Sequence, residues 1–276
     1  MPNRRPIPRV LSIAGSDSGG GAGIQADLKA FAACGVHGMT AITAITAQNT
    51  VAVTAVQAVA PEMIRAQVRA VVRDIGVDAV KIGMLGTVAT IEAVALALDD
   101  LAPGTPIVLD PVMVAESGAD LLEPDARTAL IELLLSRVTV VTPNVPEARA
   151  LVGAEDGADD DADADADADA DAEALARAVH ALGPQVVVVT GGHRKQATDV
   201  FYDGAQLVSL PGERYPDGAA HGSGCTHSSV LAARLAWGDS PLAAARIAKR
   251  RAAEAVRDGL AEVGAGSGPV DVLGVT

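Results

Sequence analysis

Residues 221–226 read His-Gly-Ser-Gly-Cys-Thr and stand directly before an apolar helical stretch. Two glycines around a small residue leave the backbone open where a helix begins. There, N–H groups and the positive end of the helix dipole together attract an anion. Gly222, Ser223, Gly224 and Cys225 are therefore a candidate catalytic loop, with the N–H groups of about residues 223–226 converging on a phosphate. That geometry stabilises charge on a phosphoryl group in transfer. A thiol at a helix start is expected to have its pKa lowered, which suits Cys225 to take a proton from, or polarise, an attacking oxygen. Cys34 falls on an apolar helical face and reads as a core residue.

Four further constellations carry polar groups to predicted strand ends. Gly15-Ser16-Asp17-Ser18-Gly19-Gly20-Gly21-Ala22-Gly23 holds five glycines in nine residues, room for a ligand to approach the backbone. It lacks the Gly-Lys-Ser/Thr ending of a P-loop and the spacing of the dinucleotide fingerprint. Thr46-Ala47-Gln48-Asn49-Thr50 places an amide with one acceptor and two donor hydrogens, the complement of an aminopyrimidine edge and the logic by which Gln reads adenine. Asp110-Pro111-Val112-Met113 and Thr142-Pro143-Asn144-Val145-Pro146-Glu147 add carboxylates. Asn144 and Glu147 have the spacing of a helix capping box. Glu147 with Asp110 also suits Mg²⁺, whose oxygen shell commonly takes one or two carboxylates plus water and phosphate.

The elements that must position these groups alternate between short apolar runs and longer helical periodicities, the pattern of a parallel sheet built from βαβ units. Strands are predicted over residues 10–15, 40–47, 51–59, 79–82, 107–110, 138–142 and 186–190, and an edge hairpin over 200–202 and 206–210. Helices are predicted over 24–33, 61–75, 87–98, 125–135, 225–237 and 241–259. The fold class is α/β, and the 276 residues suit one domain. The chain is 49% hydrophobic and only 2% aromatic, so Ala, Val, Ile and Leu must make the core.

Net charge is −14, yet residues 155–173 hold eleven acids and no Lys or Arg, leaving −3 for the remainder. The acidity belongs to one insert and the chain has no basic patch, which argues against nucleic acid as a partner. From 161 to 172 the insert alternates Asp and Ala. As a strand it would line one face with Asp, and as a helix every Asp would repel another four residues on. It is expected to be a flexible, solvated segment between two helices, without the glycine turn and mixed ligands of a Ca²⁺ loop. No apolar run approaches the roughly 20 residues of a membrane span, and residues 10–15 are too short for a signal sequence. Reduced thiols in the cytoplasm are the expected setting for Cys34 and Cys225.

Seven motifs in order closely resemble one family. They are residues 15–29, 46–50, Lys-Ile-Gly-Met-Leu at 81–85, 110–114, 142–148, Gly-Gly-His at 191–193, and 221–226. The chain resembles the hydroxymethylpyrimidine/phosphomethylpyrimidine kinase of thiamine biosynthesis, a branch of the ribokinase-like fold. The resemblance implies a three-layer sandwich, a central mainly parallel sheet with helices on both faces, and as partners ATP, Mg²⁺ and a second copy of the chain in a homodimer. It implies two successive phosphorylations of 4-amino-5-hydroxymethyl-2-methylpyrimidine. Gln48 would hold the pyrimidine, with Gly15, Ala22, Asp27, Met84 and Val112 shaping the pocket. Asn144, Glu147, Thr190 and Gly192 would serve Mg-ATP, with Asp110 and Glu147 at the metal and Cys225 at the catalytic position.

Three departures from the family pattern stand out. Thr190 replaces a frequent Lys, whose charge Lys195 or Arg194 could supply. Residues 215–220 replace a Thr-rich approach to the loop, and the Asp/Ala insert has no assigned role. No fused thiamine-phosphate synthase domain is expected after Pro269. A pyridoxal kinase of the same fold is the nearest alternative, disfavoured because pyridoxal lacks the amine that Gln48 would read. Intact Asp110, Glu147, Gly222 and Gly224 weigh against an inactive ligand sensor.

Overall fold

The computed structural model describes residues 6–154, 165–191, 197–216 and 218–275. Nine strands form one sheet: β1 (Arg9–Asp17), β2 (His37–Gln48), β3 (Val53–Ala58), β4 (Ala79–Ile82), β5 (Ile107–Leu109), β6 (Val140–Val141), β7 (Val186–Val189), β8 (Asp199–Tyr202) and β9 (Leu207–Leu210). Their spatial order is β3-β2-β1-β4-β5-β6-β7-β8-β9. From β2 to β7 neighbours run parallel, while β3, β8 and β9 pair antiparallel at the edges.

Consecutive strand residues go to opposite faces, and the core records this directly. Val10, Ala79, Val108, Val140, Val186 and Val188 belong to one apolar cluster. Leu11, Val80, Leu109, Val141, Val187 and Val189 belong to the other. Both faces are thus buried, which is why these strands read as continuous Val/Ile/Leu runs. The first cluster packs under α1 (Gly23–Ala33), α7 (Ser223–Ala236) and α8 (Pro241–Arg257). The second packs under α2 (Pro61–Asp74), α3 (Val88–Ala97), α4 (Pro124–Leu133), α5 (Val145–Val152) and α6 (Asp165–His180). Each buried Val or Leu contributes about 1.5–3 kcal/mol. The result is the three-layer sandwich expected from the resemblance.

Two elements differ from the sequence expectation. The insert is not irregular throughout: α6 begins at Asp165 and takes in its second half, while residues 155–164 lie outside the described residues. Ala172, Leu175, Ala176 and Val179 are buried on its inner side. That packing, with Asp171 bonded to Arg149 at 2.7 Å, outweighs the local repulsion. Acids near a helix N-terminus are also favoured by the dipole. The strand expected over 138–142 shrinks to two residues because a 3₁₀ turn, Leu135–Arg137, carries the chain up to it.

The order of the parallel strands reverses between β1 and β4: the chain runs outward from β1 to β2 and β3, then crosses back to β4 and continues the other way. Such a switch point leaves a crevice at the carboxyl ends of the strands, where open α/β sheets bind ligands. The glycine loop after β1, Gln48 at the end of β2, and the segments after β4, β5 and β6 all reach this rim.

Candidate active site

A cavity of about 450 Å³ occupies that rim. It brings together Gly15, Ala22, Gln48, Met84, Val112, Asp110, Asn144, Glu147, Thr190, Gly222, Ser223, Gly224 and Cys225, nearly the whole set read from the sequence. Gly192, with Arg194 and Lys195, lies outside the described residues. Asp27 does not line the cavity. It is fully buried beneath it, accepting from Ser12 Oγ (2.6 Å), Ser229 Oγ (2.7 Å) and Lys81 Nζ (2.9 Å).

The first end of the cavity is shaped by backbone. A Cβ on Gly15 would sit 3.1 Å from Met84 Sδ, so any side chain there would displace the methionine. Gly23 has φ +56° and a Cβ on it would meet Gly15 O at 2.4 Å, so the turn closes only with glycine. Gln48 is fixed from both sides: Ser18 Oγ accepts its N–H (2.8 Å), and its own Oε1 accepts from Thr46 Oγ1 (3.1 Å). The amide Nε2 is then the group left to donate to a ligand. Sequence reasoning overlooked Asp17, whose carboxylate accepts N–H groups of Gly19, Gly21 and Ala22 and faces His221 Nε2 at 3.2 Å. Burial pushes its carboxyl upward, but His221 and the N–H groups of Ala22 and Gly19 outweigh this and hold it below the usual range.

At the second end, α7 starts on Gly222, which has φ +85°; a Cβ there would lie 1.8 Å from Gly21 O. The Ser223 N–H goes to Ala220 O and that of Thr226 to Gly222 O. The candidate anion site is therefore narrower than the sequence suggested, confined to Gly224 and Cys225, whose N–H groups have no carbonyl a turn below them in the helix. The expectation of an acidic thiol is overturned. Burial pushes Cys225 up to about 12, and Asp110 and Asp27 add to this against the opposing charge of Lys81 and a Gly23 N–H. Desolvation and two carboxylates outweigh the helix start, so the resting group is a neutral thiol.

Beneath the thiol runs a buried polar network that the sequence hid. Lys81, a cation inside the otherwise apolar β4, is fully buried, 2.9 Å from Asp27 and 4.0 Å from Asp110. Burial alone would lower its pKa, but Asp27, Cys225 and Asp110 raise it, so it stays charged. Asp110 is 6% exposed and accepts from Ser228 Oγ at 2.9 Å. Its carboxyl is raised by burial and by Asp27, against Lys81, Ser228 and His227.

Glu147 completes the capping box of α5: Asn144 N donates to Glu147 Oε2 (2.9 Å) and Glu147 N to Asn144 Oδ1 (2.8 Å). The cap fixes its rotamer while the side chain still lines the cavity. Burial first, and then the charge of Asp110, push Glu147 up to about 8, against N–H groups of Asn144 and Met113. Two neighbouring buried carboxyls, both raised and one of them in part by the other, mark a place that would accept positive charge. A divalent cation there would have oxygen donors of the type Mg²⁺ prefers. Among the described residues no group of three or more His, Cys, Asp and Glu could cage a metal, so phosphate and water would have to complete the shell.

Three more residues line this end without any local sequence signal: Asp199 on β8, His227 on α7 and Lys249 on α8. Lys249 Nζ donates to Asp199 Oδ1 at 2.6 Å, and His227 Nε2 lies 3.4 Å from Asp199 Oδ2. Burial pushes Asp199 upward, but His227 and Lys249 outweigh it and keep the carboxyl ionised.

A helix start with free N–H groups, paired carboxyls and an amide around one cavity of an α/β sandwich are the parts a small-molecule kinase requires. Comparison with known proteins agrees in detail. Residues 17–271 match the family described as phosphomethylpyrimidine kinase, and this chain belongs to that family. It is 50% identical over 270 residues to the hydroxymethylpyrimidine/phosphomethylpyrimidine kinase of Rhizobium meliloti (strain 1021), covering 95% of each chain. Among solved structures it superposes on the pyridoxal kinase from Staphylococcus aureus in complex with ADP with TM-score 0.85 and 33% identity, covering 97% of this chain and 94% of that one. It superposes on the phosphomethylpyrimidine kinase from Clostridium difficile 630 with TM-score 0.76 and 37% identity, covering 90% and 99%. The fold is ribokinase-like and the enzyme a phosphotransferase.

Proposed function

We propose that this kinase transfers the terminal phosphoryl group of ATP to the hydroxymethyl oxygen of 4-amino-5-hydroxymethyl-2-methylpyrimidine, and then a second to the resulting monophosphate. The observation that carries the reading is one cavity with Gln48 at one end and the Gly224–Cys225 helix start at the other. The Gln48 amide would take the aminopyrimidine edge, within walls of Gly15, Ala22, Met84 and Val112. The nucleotide would lie against Asn144, Thr190, Lys249, Ala252 and Tyr215. Lys249 brings a cation to the side where Thr190 has none. Mg²⁺ would be held by Asp110 and Glu147 with the phosphates, and would neutralise charge on the phosphoryl oxygens.

Catalysis would rest on position and charge. The N–H groups of Gly224 and Cys225 face the moving phosphoryl group, and charge stabilisation of this kind is where such enzymes gain most. As a neutral thiol at rest, Cys225 would orient the acceptor oxygen by hydrogen bonding, and it becomes a base only where added positive charge lowers its pKa. Mass analysis of products after incubation with the pyrimidine and Mg-ATP tests the reading; an unchanged substrate mass would refute it.

A second reading has a specific observation behind it. The Staphylococcus aureus relative, at TM-score 0.85, is a pyridoxal kinase, and pyridoxal is also a hydroxymethyl heteroaromatic. Comparing kcat/KM on the two acceptors separates them, with the pyrimidine expected to win. We also infer a homodimer. Ile45 near the end of β2, Val51 in the turn and Val56 on edge strand β3 are more than half exposed, and sedimentation velocity would give the mass. Among the described residues no helix is long and apolar enough to cross a membrane.

A further inference from the structure

The segment after α8 was legible in the sequence only as a glycine-rich tail. In the structure it returns across the rim and touches both ends of the site from outside. Gly266 N donates to Thr50 Oγ1 (3.2 Å), two residues beyond Gln48. Two and four residues on, the same segment grips the catalytic loop: His221 N donates to Gly268 O (3.2 Å), and Val270 N to His221 O (3.1 Å). Ser267 Oγ accepts from Ala220 N at 3.3 Å.

Two of these contacts are backbone to backbone and two end on a side-chain hydroxyl, and the backbone leaves no slack. A Cβ on Gly266 would lie 1.9 Å from Thr50 O, one on Gly264 2.2 Å from Thr50 Oγ1, and one on Gly268 2.1 Å from Leu260 O. The strap is also anchored at its far end, where Asp271 N donates to Ala255 O on α8 (2.9 Å). The turn it holds is stiff. Asn49 Oδ1 accepts from Val51 N and Ala52 N, so a displacement of Thr50 is passed to Gln48. His221 in turn meets Asp17 of the glycine loop, which closes a ring around the cavity mouth.

Residues 261–265 are exposed and bury little apolar surface, whereas residues 268–270 are buried against the catalytic loop and the end of α8; none of Thr50, Gly264, Gly266 and Gly268 lines the cavity. What the contacts do fix is a spacing. We propose that residues 264–270 are a positioning strap that sets the separation between Gln48 and the Gly224–Cys225 anion site, so that acceptor oxygen and phosphoryl group meet at reacting distance. The inference rests on the kinase reading of those two ends. Thr50 and Gly266 are positioning residues, since neither reaches a ligand. Misplacing reactants by about 1 Å costs on the order of 100-fold in rate while each can still bind.

The test uses the full chain and four proteins: wild type, Thr50→Val, Thr50→Ser and Gly266→Ala. Thr50→Val removes the hydroxyl at nearly constant shape, and Thr50→Ser restores it. Kinetics are measured with whichever acceptor the wild type turns over best, so a failed pyrimidine assignment shows in the wild type alone. Thr50→Val is expected to lower kcat about 10-fold. Its melting temperature should stay within a few degrees, and its ATP dissociation constant without acceptor within about 2-fold. Thr50→Ser should recover wild-type kcat, and Gly266→Ala should lose at least as much as Thr50→Val. Wild-type kcat in a folded Thr50→Val protein overturns the proposal, as does a loss that Thr50→Ser fails to rescue. If Gly266→Ala does not fold, the Thr50 pair decides.

Discussion

At the proposed acceptor end of the cavity Gly15, Ala22 and Gln48 come from short motifs at strand ends, with Gly23 closing on Gly15 O and Gln48 held by Ser18 of the adjacent loop. At the proposed nucleotide end Asp199, His227 and Lys249 converge from β8, α7 and α8, up to 50 residues apart in the chain. One end is made by local backbone geometry, the other by long-range charge pairing. Local geometry leaves a spacing in the sequence, whereas a charge that finds its partner only through the fold does not. The two ends should therefore fail differently when altered: the loops through shape, the charged cluster through affinity and pH.

The largest effect is expected where shape is least forgiving. Gly222→Ala must move the helix start, because φ is +85° and Gly21 O is in the way. We expect kcat/KM to fall about 1,000-fold with the circular dichroism spectrum retained; a loss under 10-fold would show that the loop is not the phosphate site. Cys225→Ala should lower kcat about 100-fold, with Cys225→Ser intermediate. Because burial holds the thiol at about 12, its alkylation by iodoacetamide should be slow at pH 7 and still rising above pH 9. A plateau near pH 7 would mean that the helix start wins after all.

Gln48→Ala probes the acceptor end alone. It should raise KM for the pyrimidine about 10- to 50-fold, as expected for one or two lost hydrogen bonds to a bound ring, and leave KM for ATP within about 2-fold. Equal losses for both substrates would blur the division between the ends.

A smaller effect concerns Glu147, raised from the usual glutamate value of 4.5 to about 8. Between those values the folded state binds more protons than the unfolded chain, so stability is present at low pH and is lost as pH rises through about 8. Without divalent cation, the melting temperature should fall by a few degrees from pH 6 to pH 9. Glu147→Gln should flatten that slope. A wild-type slope of opposite sign would mean that the carboxyl is not raised.

The contrast also explains what the sequence could and could not disclose. The layers were readable because both sheet faces are buried, which turns β4 to β7 into plain apolar runs. Even so, Lys81 sat in such a run and was taken as part of a motif rather than as a buried cation, because its partners Asp27 and Asp110 lie 54 and 29 residues away. Asp27 was placed in the pocket by resemblance alone and belongs to that network beneath it. The low pKa expected for Cys225 followed from helix geometry, which is visible locally. The desolvation and carboxylates that reverse it are tertiary. The second half of the Asp/Ala insert became helix because the apolar stripe from Ala172 to Val179 has a core to cover, a fact about neighbours rather than about alternation.

The central claim is that one cavity serves two successive phosphoryl transfers to an aminopyrimidine. It is tested most directly by following product masses over time with 4-amino-5-hydroxymethyl-2-methylpyrimidine and Mg-ATP. The account predicts a monophosphate that accumulates first and then converts to the diphosphate, with two ATP consumed per pyrimidine. No phosphorylated pyrimidine under conditions where pyridoxal is converted would contradict it.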